Sequence, residues 1–207
     1  MTPTQEQGLA TGWPEFGIDL PAGHFDFVSL FGAADVVLDI GFGMGESVLT
    51  MAAAQPQTGV LGVEVHDRGI GQVLAGIIDD GLTNVRVVRG DAAEIVRDHV
   101  GPASLTGIRL YFPDPWPKSR HHKRRLVQPP WAALVVSRLR PGGTLHCATD
   151  WIHYAEHMQT VLDGEPGLQR RDDLVADFRA ARPTTRYEEI GIGRGHVVTD
   201  LVYQRPL

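Results

Sequence analysis

The sequence predicts an α/β fold: a doubly wound, mostly parallel sheet that closes in a C-terminal antiparallel hairpin. Three observations carry this expectation. Short apolar runs alternate five times with stretches of helical period. The first run ends in a glycine-rich turn, Asp39-Ile-Gly41-Phe-Gly43-Met-Gly45. Acidic residues stand at the ends of four successive runs, where open α/β sheets take their ligands.

Taken in order, residues 1–25 show no sustained period and hold Pro3, Pro14 and Pro21, so they read as an irregular arm before a single domain over residues 26–207. Residues 36–40 form a buried parallel strand, and residues 46–54 a helix stopped by Gln55-Pro56. A second strand spans 60–65. The next helix places Ile70, Val73, Leu74, Ile77 and Ile78 on one face and ends at Gly81. Residues 84–88 are a third strand, 92–99 a short helix, 106–112 a fourth strand and 113–122 a loop. Pro129-Pro130 opens a helix with Trp131, Leu134, Val135 and Leu139 inward. After the turn at Pro141-Gly-Gly143 comes a strand over 144–148, then a helix with Tyr154, Met158, Val161 and Leu162 on one face. Residues 165–183 are polar and carry no clear pattern. Residues 188–192 and 196–204 read as two strands joined through Gly193-Arg-Gly195.

Composition excludes several classes. With 43% apolar and 21% charged residues in 207, the chain can bury a core and is not a disordered one. Cys147 is the only cysteine, so neither an intrachain disulfide nor an all-cysteine zinc site can form. His153 and His157 flank Glu156 without a further ligand and read as surface residues, so no metal is expected. Residues 1–20 lack Lys and Arg, and the longest charge-free apolar run, 126–137, holds two prolines. A cytoplasmic protein with no signal peptide, no membrane span and no obligate protein partner is expected. The net charge is −6, yet no Asp or Glu occurs from Pro115 to Thr149, and Lys118-Ser-Arg-His-His-Lys-Arg-Arg125 packs five cations into eight residues. An acidic body with one basic face can bind a polyphosphate locally.

The glycine turn departs from the dinucleotide pattern G-x-G-x-x-G. Its third glycine comes one residue early, and Asp39 precedes the first by two. An acid there suits a cationic amino-acid ligand better than a pyrophosphate, favouring S-adenosylmethionine over NAD. Glu64, at the second strand end, can accept both ribose hydroxyls of an adenosine or remain a solvated charge. Asp91 can accept from an adenine amino group or cap the helix behind it. The fourth strand ends in Tyr111-Phe-Pro-Asp-Pro-Trp-Pro-Lys118, where two prolines restrict the backbone around Asp114 and Trp116 offers a face for a stacked base. The basic octet follows directly, which sets its cations at the mouth of the same cleft.

These residues resemble the bacterial tRNA (guanine-N7)-methyltransferases. The resemblance runs from about Gly32 to the C-terminus and rests on LDIGFGMGES, GVEVH, GDAAE, FPDPWPKSRHHKRRLVQ, ATDW and TTRYEE. It implies a Rossmann-like class I S-adenosylmethionine-dependent methyltransferase that modifies guanosine 46 of the tRNA variable loop and leaves S-adenosylhomocysteine. Asp39, Gly41, Gly43, Gly45, Glu64, Asp91 and Asp114 would hold the cofactor, Asp114 being also the catalytic residue. Lys118, Asp150, Thr185, Arg186, Tyr187 and Glu188 would bind the substrate, and Arg120, Lys123, Arg124 and Arg125 the RNA phosphates. Many members of that family carry Glu where this chain has Asp39; the shorter side chain keeps the charge. A small-molecule methyltransferase would explain the acids but leave the octet idle. A non-catalytic RNA- or nicotinamide-binding module fits neither Asp39 nor the glycine spacing.

Overall fold

Val36-Val-Leu-Asp-Ile40 is buried at all five positions, as a central parallel strand covered on both faces must be. The structure, a computed structural model, describes residues 1–32 and 35–207; the side chain of Tyr187 lies outside the described residues. Its strands are β1 (Gly17–Ile18), β2 (Val36–Ile40), β3 (Gly59–Glu64), β4 (Val85–Arg89), β5 (Leu105–Tyr111), β6 (Leu139–Thr149), β7 (Gln169–Arg170) and β8 (Thr199–Gln204). They form one sheet in the order β1-β4-β3-β2-β5-β6-β8-β7. Pairing is parallel from β1 through β6, and β8 runs antiparallel to both β6 and β7.

Helices cover both faces. Helices α5 (Ala92–Asp98), α6 (Pro129–Arg138) and α7 (Ile152–Asp163) pack Val96, Trp131, Val135, Tyr154 and Met158 against Leu38, Ile40, Ile108 and Leu110. A short helix, α2 (Phe27–Phe31), adds Phe27 to this side. On the opposite face, α3 (Glu46–Ala54) and α4 (Asp67–Asp79) set Val48, Val73 and Leu74 against Val60, Val85 and Val87. The apolar stripe of α4 is buried as its spacing predicts, apart from Ile78, which is 44% exposed at its edge.

The structure corrects two expectations. Residues 1–25 are not an irregular arm: α1 (Pro3–Phe16) is a 14-residue helix. Thr2 caps it, its side chain accepting from Gln5 N while the Gln5 side chain accepts from Thr2 N. Helix α1 lies so close on α4 that a Cβ at Gly8 would stand 2.1 Å from the Gly71 carbonyl oxygen. The second correction concerns residues 188–192. They belong to α9 (Arg186–Gly193), not a strand, and follow α8 (Val175–Ala181). The antiparallel end of the sheet is there, but its outer partner is β7.

Candidate active site

Strand order reverses at β2, whose neighbours are β3 and β5. The chain therefore leaves the carboxyl ends of β2 and β5 toward opposite faces and opens a crevice between them. Two adjoining cavities fill it. One, of about 1020 Å³, is lined by Asp39, Gly41, Gly43, Glu64, Asp114 and Thr185 among others. The other, of about 750 Å³, has Asp91, Trp116, Arg124 and Trp131 in its wall. Gly41, Tyr111 and Asp114 border both. The four acids of the four strand ends thus meet at one cleft, with Asp114 where its halves join.

Each acid is held differently. Asp39 is 1% exposed, and its Oδ2 is buried with no hydrogen-bond partner. Burial lifts its pKa to about 6, against the opposing pull of Arg109, whose Nη1 lies 4.0 Å away on β5. Glu64 is fixed by main-chain amides: Val65 N and His66 N donate to Oε1 at 2.7 and 3.0 Å, and Gly43 N to Oε2 at 3.0 Å. This last bond ties the glycine turn to β3. Asp91 caps α5, its Oδ1 accepting from Ala93 N and Glu94 N at 2.8 and 3.2 Å. The capping alternative is therefore realised, while Asp91 also faces the smaller cavity.

The glycines meet opposite demands. Gly45, at φ +84°, closes the turn so tightly that a Cβ would come within 1.9 Å of Val73 Cγ2. Gly41, at φ +67°, faces nothing within 4 Å, so a side chain there would project into empty cleft. An open cradle beside a buried carboxylate whose Oδ2 accepts no hydrogen bond, the nearest cation being Arg109 at 4.0 Å, fits a ligand with a cationic amino group such as S-adenosylmethionine. Among the described residues no group of three or more His, Cys, Asp and Glu could hold a metal. No described helix is long and apolar enough to cross a membrane.

Asp114 is exposed, on a loop whose backbone is strained on either side. Phe112 and Trp116, both aromatic, have φ of 50° and 44°, a region L residues rarely adopt. Arg125 braces this loop, Nε donating to the Pro115 carbonyl at 2.9 Å and the guanidinium lying 4.8 Å over the Tyr154 ring. It is 4% exposed, so the phosphate-facing role expected for it gives way to a structural one. Arg120, Lys123 and Arg124 do face outward, on a 3-10 turn (Ser119–Arg124) that follows exposed Lys118. Trp116 is less open than its sequence suggests, since Arg124 covers one face at 4.9 Å and His121 packs edge-on at 5.9 Å.

The expected substrate residues divide. Thr185 lines the larger cavity and caps α9, accepting from Glu188 N at 3.3 Å. Arg186 is exposed, its main-chain N donating to Glu46 Oε2 at 3.4 Å. Asp150 accepts from His196 Nδ1 at 2.8 Å and abuts α9 at Gly191. Glu188 is 2% exposed and committed to ion pairs with Arg179 and Arg182, away from solvent. The Tyr187 side chain lies outside the described residues. Sequence reading missed the polar cluster beneath this region, Tyr111, His146, Arg182 and Asp200. The available signal was His146, a polar residue amid the apolar Leu145 and Cys147.

Comparison with known proteins agrees with this geometry. Residues 33–201 match the family model described as "Putative methyltransferase". The chain is 50% identical to a tRNA (guanine-N(7)-)-methyltransferase of Stutzerimonas stutzeri, covering 99% of this chain and 87% of that protein. A protein of the same name from Streptomyces avermitilis is 48% identical, with 99% and 72% covered. Among solved structures, the 16S rRNA methyltransferase KamB superposes with a TM-score of 0.61 at 14% identity over 89% of this chain and 95% of that one. TrmN from Thermus thermophilus gives 0.58 at 18% identity, covering 87% of this chain and 47% of that one. The structural likenesses establish the Rossmann-like class I methyltransferase fold. The match over nearly the whole length establishes the rest: the chain belongs to the tRNA (guanine-N7)-methyltransferase family.

Proposed function

We infer that the protein transfers a methyl group from S-adenosylmethionine to N7 of a guanine in tRNA, guanosine 46 of the variable loop, in the cytoplasm. The observation that carries this reading is the place of Asp114, an exposed carboxylate on a braced, strained loop where the two cavities meet. When bound, S-adenosylmethionine supplies an electrophilic methyl on a sulfonium. Asp39, Glu64 and Asp91 would hold its amino group and adenosine; Asp114 would border it and also serve the substrate.

Guanine N7 carries an in-plane lone pair and no proton near neutrality, so Asp114 has no proton to remove from it. Its carboxylate can instead accept from guanine N1–H and N2–H, which orients the base and raises electron density at N7. The same negative charge opposes the positive charge that develops on the purine. Approach must be in line and close, roughly 3–3.5 Å, which is why the strained loop needs a firm brace. Arg120, Lys123 and Arg124 beside the cleft would meet phosphates, with Lys118, Asp150, Thr185, Arg186 and Tyr187 on the substrate side; Glu188, buried in its ion pairs, would instead hold the turn that carries Thr185. Transfer of labelled methyl from S-adenosylmethionine into tRNA, followed by nucleoside analysis, tests the reading. Label in 7-methylguanosine is expected, and its loss from a tRNA with adenosine at position 46 fixes the site. Label in any other nucleoside would overturn the assignment.

A further inference from the structure

Arg182 has a side chain only 1% exposed, and it sits where four elements converge. Nε and Nη2 form a fork on Asp200 of β8, at 2.8 and 3.0 Å. Nη1 donates to Glu188 Oε2 and Nη2 to Oε1, the latter at 3.3 Å, reaching the first turn of α9. The flat face of the guanidinium lies 5.6 Å over Tyr111 and 5.5 Å over Phe112, the two residues before Pro113-Asp114. Arg179 closes the arrangement, pairing with both Glu188 and Asp200.

The cluster extends under the cleft in one hydrogen-bond direction. His146 Nε2 faces Asp200 Oδ1 at 2.8 Å and so carries the proton; Nδ1 then accepts from the Tyr111 hydroxyl at 2.8 Å. Burial holds His146 below its ordinary pKa, against the pull of Asp200, so the ring is neutral. Two carboxylates therefore balance two guanidiniums, Arg182 buried among them and Arg179 at the half-exposed rim.

An ion cluster of this kind can be a staple and nothing more. Here its two ends are parts of the site: Phe112, at φ 50°, leads into Asp114, and Glu188 shares its turn with Thr185 of the larger cavity. We propose that Arg182 is a positioning residue, fixing the Asp114 loop and the first turn of α9 in one relation across the cleft. Arginine is required because one planar group must fork on two carboxylates while its face covers two rings, which a lysine ammonium cannot do. In its turnover readout this inference rests on the proposed methyl transfer.

The test compares Arg182→Met and Arg182→Lys with the wild type. In ligand-free protein, Arg182→Met is expected to speed amide hydrogen exchange in both residues 111–116 and 185–193. Turnover should fall on the order of 10²-fold, the scale of a small misplacement, with the S-adenosylmethionine Kd little changed. In an Asp114→Ala background the same substitution should cost much less turnover than it does alone, the remainder coming through α9, while lowering Tm by the same amount. Should the Met variant fail to fold, Arg182→Lys, which keeps a cation beside Glu188, should loosen residues 111–116 more than α9. Faster exchange at α9 alone, or turnover losses that multiply in full in the double variant, would overturn the proposal. Failure of the methyl-transfer reading would show separately, as no label from the wild type, leaving the exchange result intact.

Discussion

Asp39 and Asp114 are carboxylates of one cleft with opposite surroundings, and their substitutions should diverge. Asp39 is buried without a hydrogen-bond partner on Oδ2, and its pKa rises from 3.8 to about 6 in the fold. A folded pKa above the unfolded one means that protonation favours folding; this contribution is complete below pH 3.8 and lost as pH rises through 6. Asn copies the protonated form at every pH. Asp39→Asn should therefore be more stable than the wild type at pH 8 by on the order of 3 kcal/mol, the gap closing toward pH 4. It should bind S-adenosylmethionine more weakly, and wild-type affinity should fall below pH 6. Urea titrations and calorimetry at several pH values check this; a wild type more stable than the variant at pH 8 contradicts it. At Asp114, Asn keeps one acceptor but turns a donor toward the guanine N–H groups, whereas Ala leaves room for water. Asp114→Asn should be at least as damaging as Asp114→Ala, each losing roughly 10²-fold or more in turnover. A tRNA with inosine at the target, lacking N2, should react more slowly with the wild type, and the difference should shrink in the Ala variant. Equal rates with the wild type would remove the N2 contact. Both acids were legible in sequence, since each ends or follows an apolar run. Arg125 was not, because a charge run does not reveal which member turns inward; only the fold brings Pro115 and Tyr154 to it.

At the level of elements, the central strands and their helices were legible because burial on both faces leaves continuous apolar runs and a clean helical stripe. Helix α9 was not. Ile190 and Ile192, two apart across a glycine, suggest a strand, but the residues just before them decide otherwise: Thr185 caps the turn, and Arg179 and Arg182 hold Glu188 in place. Helix α1 was hidden by Pro3, Gly8, Gly12 and Pro14, residues that argue against a helix when judged alone. Pro3 takes the first helical position, where no amide partner is needed, and the two glycines let α1 approach α4. Glycine therefore serves helix packing here rather than a turn. Gly8→Ala should force the helices apart, its Cβ 2.1 Å from the Gly71 oxygen, and lower stability by about 1–3 kcal/mol. Met1 and the first turn of α4 line the larger cavity, so parting the two helices should also weaken S-adenosylmethionine binding at temperatures where the variant is folded. Unchanged Tm would mean that α1 contributes nothing to the fold at this crossing.

Over the whole molecule, the net charge of −6 opposes a nucleic acid, and the 3-10 turn over Ser119–Arg124 provides the local exception. The cations of the octet Lys118–Arg125 differ in kind. Arg120 and Lys123 are exposed, whereas Arg125 is buried under the Asp114 loop. An exposed cation that meets a phosphate releases a counterion on binding, so its loss shows in the salt dependence of affinity. A buried one releases none, and its loss shows in the loop that it braces. Reversing Arg120 and Lys123 to Glu should raise the tRNA KM and flatten the slope of log affinity against log salt by about 2, near one per contact. Cofactor Kd and Tm should stay close to those of the wild type. Arg125→Gln should give the opposite pattern: an unchanged slope, a lower Tm from the lost bond to Pro115 and the bared Tyr154 ring, and a fall in turnover as Asp114 moves. Binding titrations at four or five salt concentrations, with thermal melts of the same samples, separate the two. A slope that flattens for Arg125→Gln but not for the Arg120 and Lys123 pair would reverse the assignment, making the buried arginine the RNA contact and the exposed cations solvated bystanders.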